Sequence, residues 1–211
     1  MSDTILYDYW RSSASYRVRI ALGMLGEPYR KATIDLLGQD HKSPEHVARN
    51  PQGLVPVLEI DGQRFTQSLA IIEYLDETRG GAFLPEQAVD RARVRALSYA
   101  IAMEIHPVCN LAVAGEAMRL AGGSEDVRAA WMKKFIGEGL AAFEVMLADP
   151  RTGRFCHGDK PTMADICLVP QLYNANRWGV DLSGFPRILE IAEACAGLPA
   201  FTAAYPQQEA P

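Results

Sequence analysis

The chain is poor in the residues that build metal and redox centres. Its 211 residues include only four cysteines and four histidines. Cys109, Cys156, Cys167 and Cys195 show neither CxxC spacing nor a His/Cys cluster, so the common zinc patterns are excluded. In a long chain without a leader they read as reduced, mostly buried thiols. Positive charge is also scarce: 21 Lys and Arg stand against 26 Asp and Glu, a net −5. Residues 1–80 carry 9 basic and 11 acidic side chains and the remainder 12 and 15, so no block is strongly basic. That excludes a nucleic-acid footprint and a polybasic membrane anchor. No apolar run approaches the roughly 20 residues of a membrane span. The opening MSDTILYDYW has no positive segment followed by an apolar core. No signal peptide is therefore expected, and the location expected is cytoplasmic.

What is present looks like an ordinary globular chain, long enough for one large domain or two small ones. Residues 4–9 alternate like a strand, and residues 14–25 repeat like a helix that Gly26 would end. Residues 29–36 read as a second strand. Residues 37–54 read as a loop with at most a short helix near 45–49. Residues 55–60 form a third strand, Asp61-Gly62 a hairpin turn, and residues 64–66 a short fourth strand. A helix follows over 68–78. Past the breaker GGAFLPE the sequence holds no convincing strand. Helices are predicted over 90–120, bent at Pro107, and over 124–147, 162–178 and 186–196, with a loose polar tail from Tyr205. The pattern predicts an α/β domain over residues 1–80 and an all-α domain over 87–211.

Three stretches of the first domain could carry chemistry. Ser12-Ser13 opens the first helix, where a serine commonly caps the unpaired N–H groups. The same corner also favours a bound thiolate or other anion, through the partial positive charge of the helix start. Position 14 is Ala, so a thiolate at this corner would arrive on a ligand. Val55-Pro56 opens a strand after the Asn50-Pro51-Gln52-Gly53 turn. Proline is tolerated there, and from residue type alone a trans bond is expected, since only about 5–6% of X–Pro bonds are cis. Gln67-Ser68 precedes the next helix; Ser68 reads as its N-cap, and both side chains could grip a carboxylate. Thr162-Met163-Ala164-Asp165 reads as a capping box with no catalytic role.

Taken in order, Arg11-Ser12-Ser13-Ala14-Ser15-Tyr16-Arg17-Val18-Arg19, Asn50-Pro51-Gln52-Gly53-Leu54-Val55-Pro56 and Gln67-Ser68-Leu69-Ala70-Ile71-Ile72-Glu73-Tyr74-Leu75 resemble the glutathione transferases. Within them the chain resembles the zeta class, also called maleylacetoacetate isomerases. Ile105-His106-Pro107, Asn110-Leu111 and the stretch from Thr162 to Gln171 extend the likeness over nearly the whole chain.

The resemblance implies a thioredoxin-like N-terminal domain, an all-helical C-terminal domain, a homodimer, and glutathione as cofactor. It implies a cis Val55-Pro56 bond. By matched position, Ser12 and Ser13 would serve the glutathione thiol. Val55 would pair with the cysteinyl backbone, and Gln67 and Ser68 would hold the γ-glutamyl carboxylate. His41 would approach the glycyl end. Arg17, His106 and Asn110 match further positions near the cofactor, although Arg17 and Arg19 also suit structural ion pairs. The implied substrate is a small dicarboxylic acid, held by Arg11 and Arg177; by itself Arg177 reads as a surface arginine suited to a helix C-terminus.

The activity implied is cis–trans isomerisation of maleylacetoacetate in aromatic catabolism. The alternatives are maleylpyruvate isomerisation, conjugation of small α-halo acids, and a non-catalytic binding module. Two departures from the family pattern matter. Ala14 replaces a cysteine many members carry, removing the thiol for a protein–glutathione disulfide. Asn110-Leu111-Ala112 lacks the arginines of some maleylpyruvate specialists, which tilts the reading toward maleylacetoacetate.

Overall fold

A computed structural model describes residues 4–207. Strand β1 (Ile5–Asp8) starts the first unit, followed by α1 (Ser13–Leu25), β2 (Arg30–Thr33) and α2 (Pro44–Arg49). Then come β3 (Val57–Ile60), β4 (Gln63–Thr66) and α3 (Ser68–Arg79). The sheet order is β2-β1-β3-β4; β2 runs parallel to β1, and the β1–β3 and β3–β4 pairs are antiparallel. The Asp61-Gly62 hairpin forms as expected, with φ of 55° and 71° at its two central residues, a turn that favours glycine at the second.

The alternation of β1 decides what lies beneath it. Leu6 and Asp8 are buried on one face, whereas Ile5 and Tyr7 are half-covered on the other. A buried carboxylate needs a partner, and Arg19 of α1 supplies one. Its Nη1 lies 2.7 and 2.8 Å from the two Asp8 oxygens, Nη2 donates to the Trp10 carbonyl and Nε to the Ala204 carbonyl. The ion pair expected of Arg19 is therefore present. Arg17 donates to the Ser68 hydroxyl.

The second unit runs from Leu84 to Gly197. It holds α4 (Ala88–Tyr99), α5 (His106–Val108), α6 (Leu111–Leu120), α7 (Glu125–Met146), α8 (Met163–Arg177) and α9 (Pro186–Ala196). The single bent helix expected over 90–120 is corrected here. Between Ala100 and Ile105 the helix widens, and the His106 N–H bonds the Ile101 carbonyl five residues back. The wider turn accommodates Pro107, which lacks an N–H and crowds the carbonyl four residues earlier. The break itself falls at Asn110, whose side chain accepts from the Val113 N–H at 2.9 Å and starts α6. A side-chain cap, more than the proline, ends the run.

The expected helical domain over 87–211 also differs at its end. From Leu198 to Gln207 the chain belongs to the first unit. Helix α10 (Pro199–Ala203), which the sequence pattern did not suggest, packs on α1. Gly23 permits that approach: a Cβ there would lie 3.4 Å from the Ala200 Cβ. Among the described residues no single helix is long and apolar enough to cross a membrane.

Candidate functional site

The corner after β1 concentrates donors. Ser12 is the N-cap of α1, and its Oγ accepts from the Ser15 N–H at 3.2 Å. That bond uses an acceptor lone pair and leaves the hydroxyl proton to be donated elsewhere. Capping and ligand binding are thus compatible in the same oxygen. Ser13, the first helical residue, is buried. No acidic residue occupies the first turn, so nothing on the helix itself offsets the partial positive charge of its start.

The Val55-Pro56 bond is cis. The expectation from residue type is corrected, and the one from resemblance holds. Ladder pairing of β3 begins at Val57, so the Val55 peptide groups lie outside the sheet. The Val55 side chain packs with Tyr9 and Ile34, which seats the segment against the end of β1.

At the start of α3 the structure corrects one detail. The N-cap is Gln67, at φ 67° and ψ 109°, with no side-chain cap; Ser68 is the first helical residue. Positive φ at a non-glycine residue is uncommon and concentrates at ligand-binding positions. The buried Ser68 Oγ accepts from Arg17 Nη1 at 3.2 Å, so its own proton is again available. The Gln67 amide donates to Gln52 Oε1 at 2.7 Å. Neither α1 nor α3 carries an acidic residue in its first turn. Two helix starts of the same sign, with Arg17 linking them, make this face of the unit suited to anions.

His41 sits in a short 3-10 turn (Asp40–Lys42), and its Nδ1 is buried without a hydrogen-bond partner. Its pKa is lowered by burial first, then by Lys42 and His46, so it is a neutral ring at physiological pH. Arg11 lies 5.3 Å above the Trp10 ring. Both line a cavity of about 430 Å³, along with Tyr9, Lys31, Thr33, Asp35 and Leu37.

The first unit therefore holds Arg11, Ser12, Ser13, Arg17, His41, Val55, Gln67 and Ser68, while His106, Asn110 and Arg177 stand in the second. Asn110 Oδ1 is engaged as a cap. Arg177 is exposed in the last turn of α8, over the Trp178 ring at 5.0 Å. Arg128 lies over the same ring at 5.5 Å. Sequence reasoning did not single out Gln52, which bonds Gln67, or Lys31, which shares the Arg11 cavity. Gln52 stood inside a recognised turn, but its amide bond to Gln67 spans 15 residues and leaves no periodic trace.

The four cysteines are buried and not disulfide-bonded. Burial pushes the Cys109 thiol up to about 11, and burial with Asp165 nearby pushes Cys156 and Cys195 up as well. A thiol at that level is ionised to roughly one part in ten thousand at neutral pH. Iodoacetamide at neutral pH should therefore leave the folded protein unmodified, as intact mass would show. Rapid alkylation of any one cysteine would contradict this placement.

Comparison with known proteins agrees with this geometry. Residues 2–77 match the glutathione S-transferase N-terminal domain, and residues 125–205 the C-terminal domain. The maleylacetoacetate isomerase of Rhizobium meliloti (strain 1021) is 64% identical over 211 residues, covering 100% of this chain and 99% of that protein. The holo structure of a bacterial maleylpyruvate isomerase of the zeta class superposes with a TM-score of 0.93 at 41% identity, covering 96% of each chain. A maleylacetoacetate isomerase from Methylobacterium extorquens AM1, solved with malonate and glutathione bound, gives 0.93 at 38% identity, covering 98% and 99%. With both halves matched and the thioredoxin-like sheet and its cis-proline segment in place, the chain belongs to the glutathione S-transferase family, in its zeta class.

Proposed function

We propose that this chain is a glutathione-dependent cis–trans isomerase that converts maleylacetoacetate to fumarylacetoacetate in the breakdown of aromatic compounds. It would act in the cytoplasm as a homodimer. The observation that carries the reading is the Ser12 hydroxyl: its acceptor side is engaged by the helix, and its proton is left for a ligand at an electropositive helix start.

The residues fit glutathione. Its anionic γ-glutamyl end suits the Ser68 hydroxyl and the Gln67 amide at the start of α3, with the Arg17 charge behind. Its cysteinyl backbone suits the Val55 peptide groups outside the ladder. Its glycyl end suits the neutral His41 ring, whose Nδ1 has no partner in the protein. The roles of His106 and Asn110 rest on the family likeness alone.

When bound, glutathione supplies reversible thiolate addition to a conjugated double bond, which becomes single, rotates and reforms as the thiolate leaves. The chain's own part is electrostatic. Ser12 would donate to the sulfur, with Ser13 as its neighbour in the chain, and so favour the thiolate. Arg11, with Lys31 in the same cavity, would bind a substrate carboxylate, and the family likeness alone gives Arg177 the same role. The test is glutathione-dependent loss of the maleylacetoacetate absorbance. No change with glutathione present would reject the reading, and faster turnover of maleylpyruvate would move the substrate. The holo maleylpyruvate isomerase likeness favours that second substrate, and the absence of arginine in Asn110-Leu111-Ala112 disfavours it.

Arg177→Ala should raise the KM for dicarboxylic substrates about tenfold, the order of one charge-assisted hydrogen bond, and barely alter turnover of a neutral haloalkane. Equal effects on both substrates would point to damaged folding and remove Arg177 from substrate binding.

A further inference from the structure

The Val55 anchor is only as well aimed as the peptide plane that carries it. That plane contains the Leu54 carbonyl and the Val55 N–H, which point in opposite directions across one trans peptide bond. Whatever holds the Leu54 oxygen therefore aims the Val55 N–H. Two buried side chains hold it. His46 Nε2 lies 2.9 Å from the Leu54 oxygen, and Asn50 Nδ2 donates to the same oxygen at 2.9 Å. His46 is 0% exposed and Asn50 2%.

A carbonyl only accepts, so His46 carries its proton on Nε2 in this contact. Its Nδ1 is buried and meets no hydrogen-bond partner, so the ring's hydrogen bond is the one to Leu54. The helix that carries the ring is capped at its start, where the His46 backbone N–H donates to Ser43 Oγ at 3.2 Å. Asn50 works in both directions. Its Oδ1 accepts from the Gln52 N–H at 3.1 Å, closing the turn. Gln52 Oε1 in turn accepts from the Gln67 amide. One hydrogen-bonded chain thus runs from α2 through the cis-proline turn to the start of α3.

We propose that His46 and Asn50 are positioning residues for glutathione. Their paired donation to the Leu54 carbonyl aims the Val55 N–H at the cysteinyl backbone, and through Gln52 it sets the spacing between that anchor and Gln67. Two donors on one carbonyl also polarise the peptide and strengthen the N–H at its other end. This deepens the reading above and rests on it.

The test compares His46→Phe, which fills the space without a donor, with His46→Gln, whose amide nitrogen reaches about as far along the side chain. Glutathione affinity is measured by calorimetry, the Val55 amide shift by NMR in the unliganded protein, and folding by thermal unfolding. His46→Phe should weaken glutathione binding about tenfold and move the Val55 amide resonance, with the loss falling on the glutathione KM more than on kcat. His46→Gln should recover affinity to within about threefold and return the resonance toward its wild-type position. Asn50→Ala should move the same resonance and weaken binding in the same direction. If His46→Phe folds and binds glutathione as tightly as wild type, the inference is wrong. It is equally wrong if affinity and unfolding midpoint fall together in both His46 variants. Absence of glutathione binding by the wild type would instead sink the functional reading itself.

Discussion

Replacing Ser12 with glycine should cut isomerase turnover at neutral pH by about tenfold or more, and the loss should shrink as the pH is raised. The argument starts from the free thiol, which titrates near pH 8.5 and is only a few per cent ionised at neutrality. A hydrogen bond to a charged group contributes about 1.5–3 kcal/mol, or roughly one to two pKa units in favour of the anion. Removing the Ser12 hydroxyl gives that preference up, so the bound thiol titrates higher. The ionised fraction, and turnover with it, then recovers as pH passes through the raised value.

Glycine is the right replacement because Ser12 has two roles in one oxygen. Its lone pair caps α1 through the Ser15 N–H, and alanine would forfeit that cap at a cost of about 1 kcal/mol. Glycine at an N-cap costs only a few tenths of a kcal/mol. The thiol effect is then read without a change in folding. Glutathione affinity should stay within a few-fold, since the peptide and carboxylate contacts lie elsewhere. The direct measurement is the thiolate's ultraviolet band, titrated in the loaded protein. An unchanged titration in the glycine variant would move the role to Ser13 or to the backbone N–H groups of the first turn.

The parts of this site that sequence exposed are those written in contiguous residues. Ser12-Ser13, Val55-Pro56 and Gln67-Ser68 each sit where a strand meets a helix or turn, and such corners leave a local trace of breakers and hydroxyls. The sheet was readable for the same reason, since Asp61-Gly62 dictates the hairpin that pairs β3 with β4. The misses share another cause. Asn110 ends the long helix because its side chain reaches the Val113 N–H, a competition that apolar periodicity does not register. Helix α10 is five residues long, too short to show a period, and its place on α1 depends on contacts 185 residues apart in sequence. His46 fell in a stretch read as a loop with at most a short helix, yet it is buried, with its Nε2 2.9 Å from the Leu54 oxygen. Val55 is the sharpest case: residue type argues for a trans bond, and only the family likeness argues for the cis bond that is present.

The largest effect on stability is expected at Asp165, which has no part in the proposed chemistry. This carboxylate is 0% exposed in the first turn of α8. Oδ1 accepts from the Cys156 N–H at 2.8 Å, while Oδ2 accepts from the Thr162 N–H at 2.7 Å and the Thr162 hydroxyl at 2.9 Å. Burial pushes its pKa up, and the donors oppose that shift. Asp165→Ala would strand two buried backbone N–H groups, at about 1–3 kcal/mol each, or about 4 kcal/mol together. For a chain of this size that corresponds to a fall of roughly 10 °C in unfolding midpoint. Asp165→Asn keeps the shape yet cannot serve both donors, because its NH2 must face either the Cys156 or the Thr162 N–H. It should therefore lose about half as much, where a purely steric role would lose nothing. Calorimetric unfolding measures the midpoints, and hydrogen exchange at the Cys156 and Thr162 amides locates the damage. An asparagine variant within about 1 °C of wild type would show that these donors find other partners, and that the box shapes the helix start without holding it.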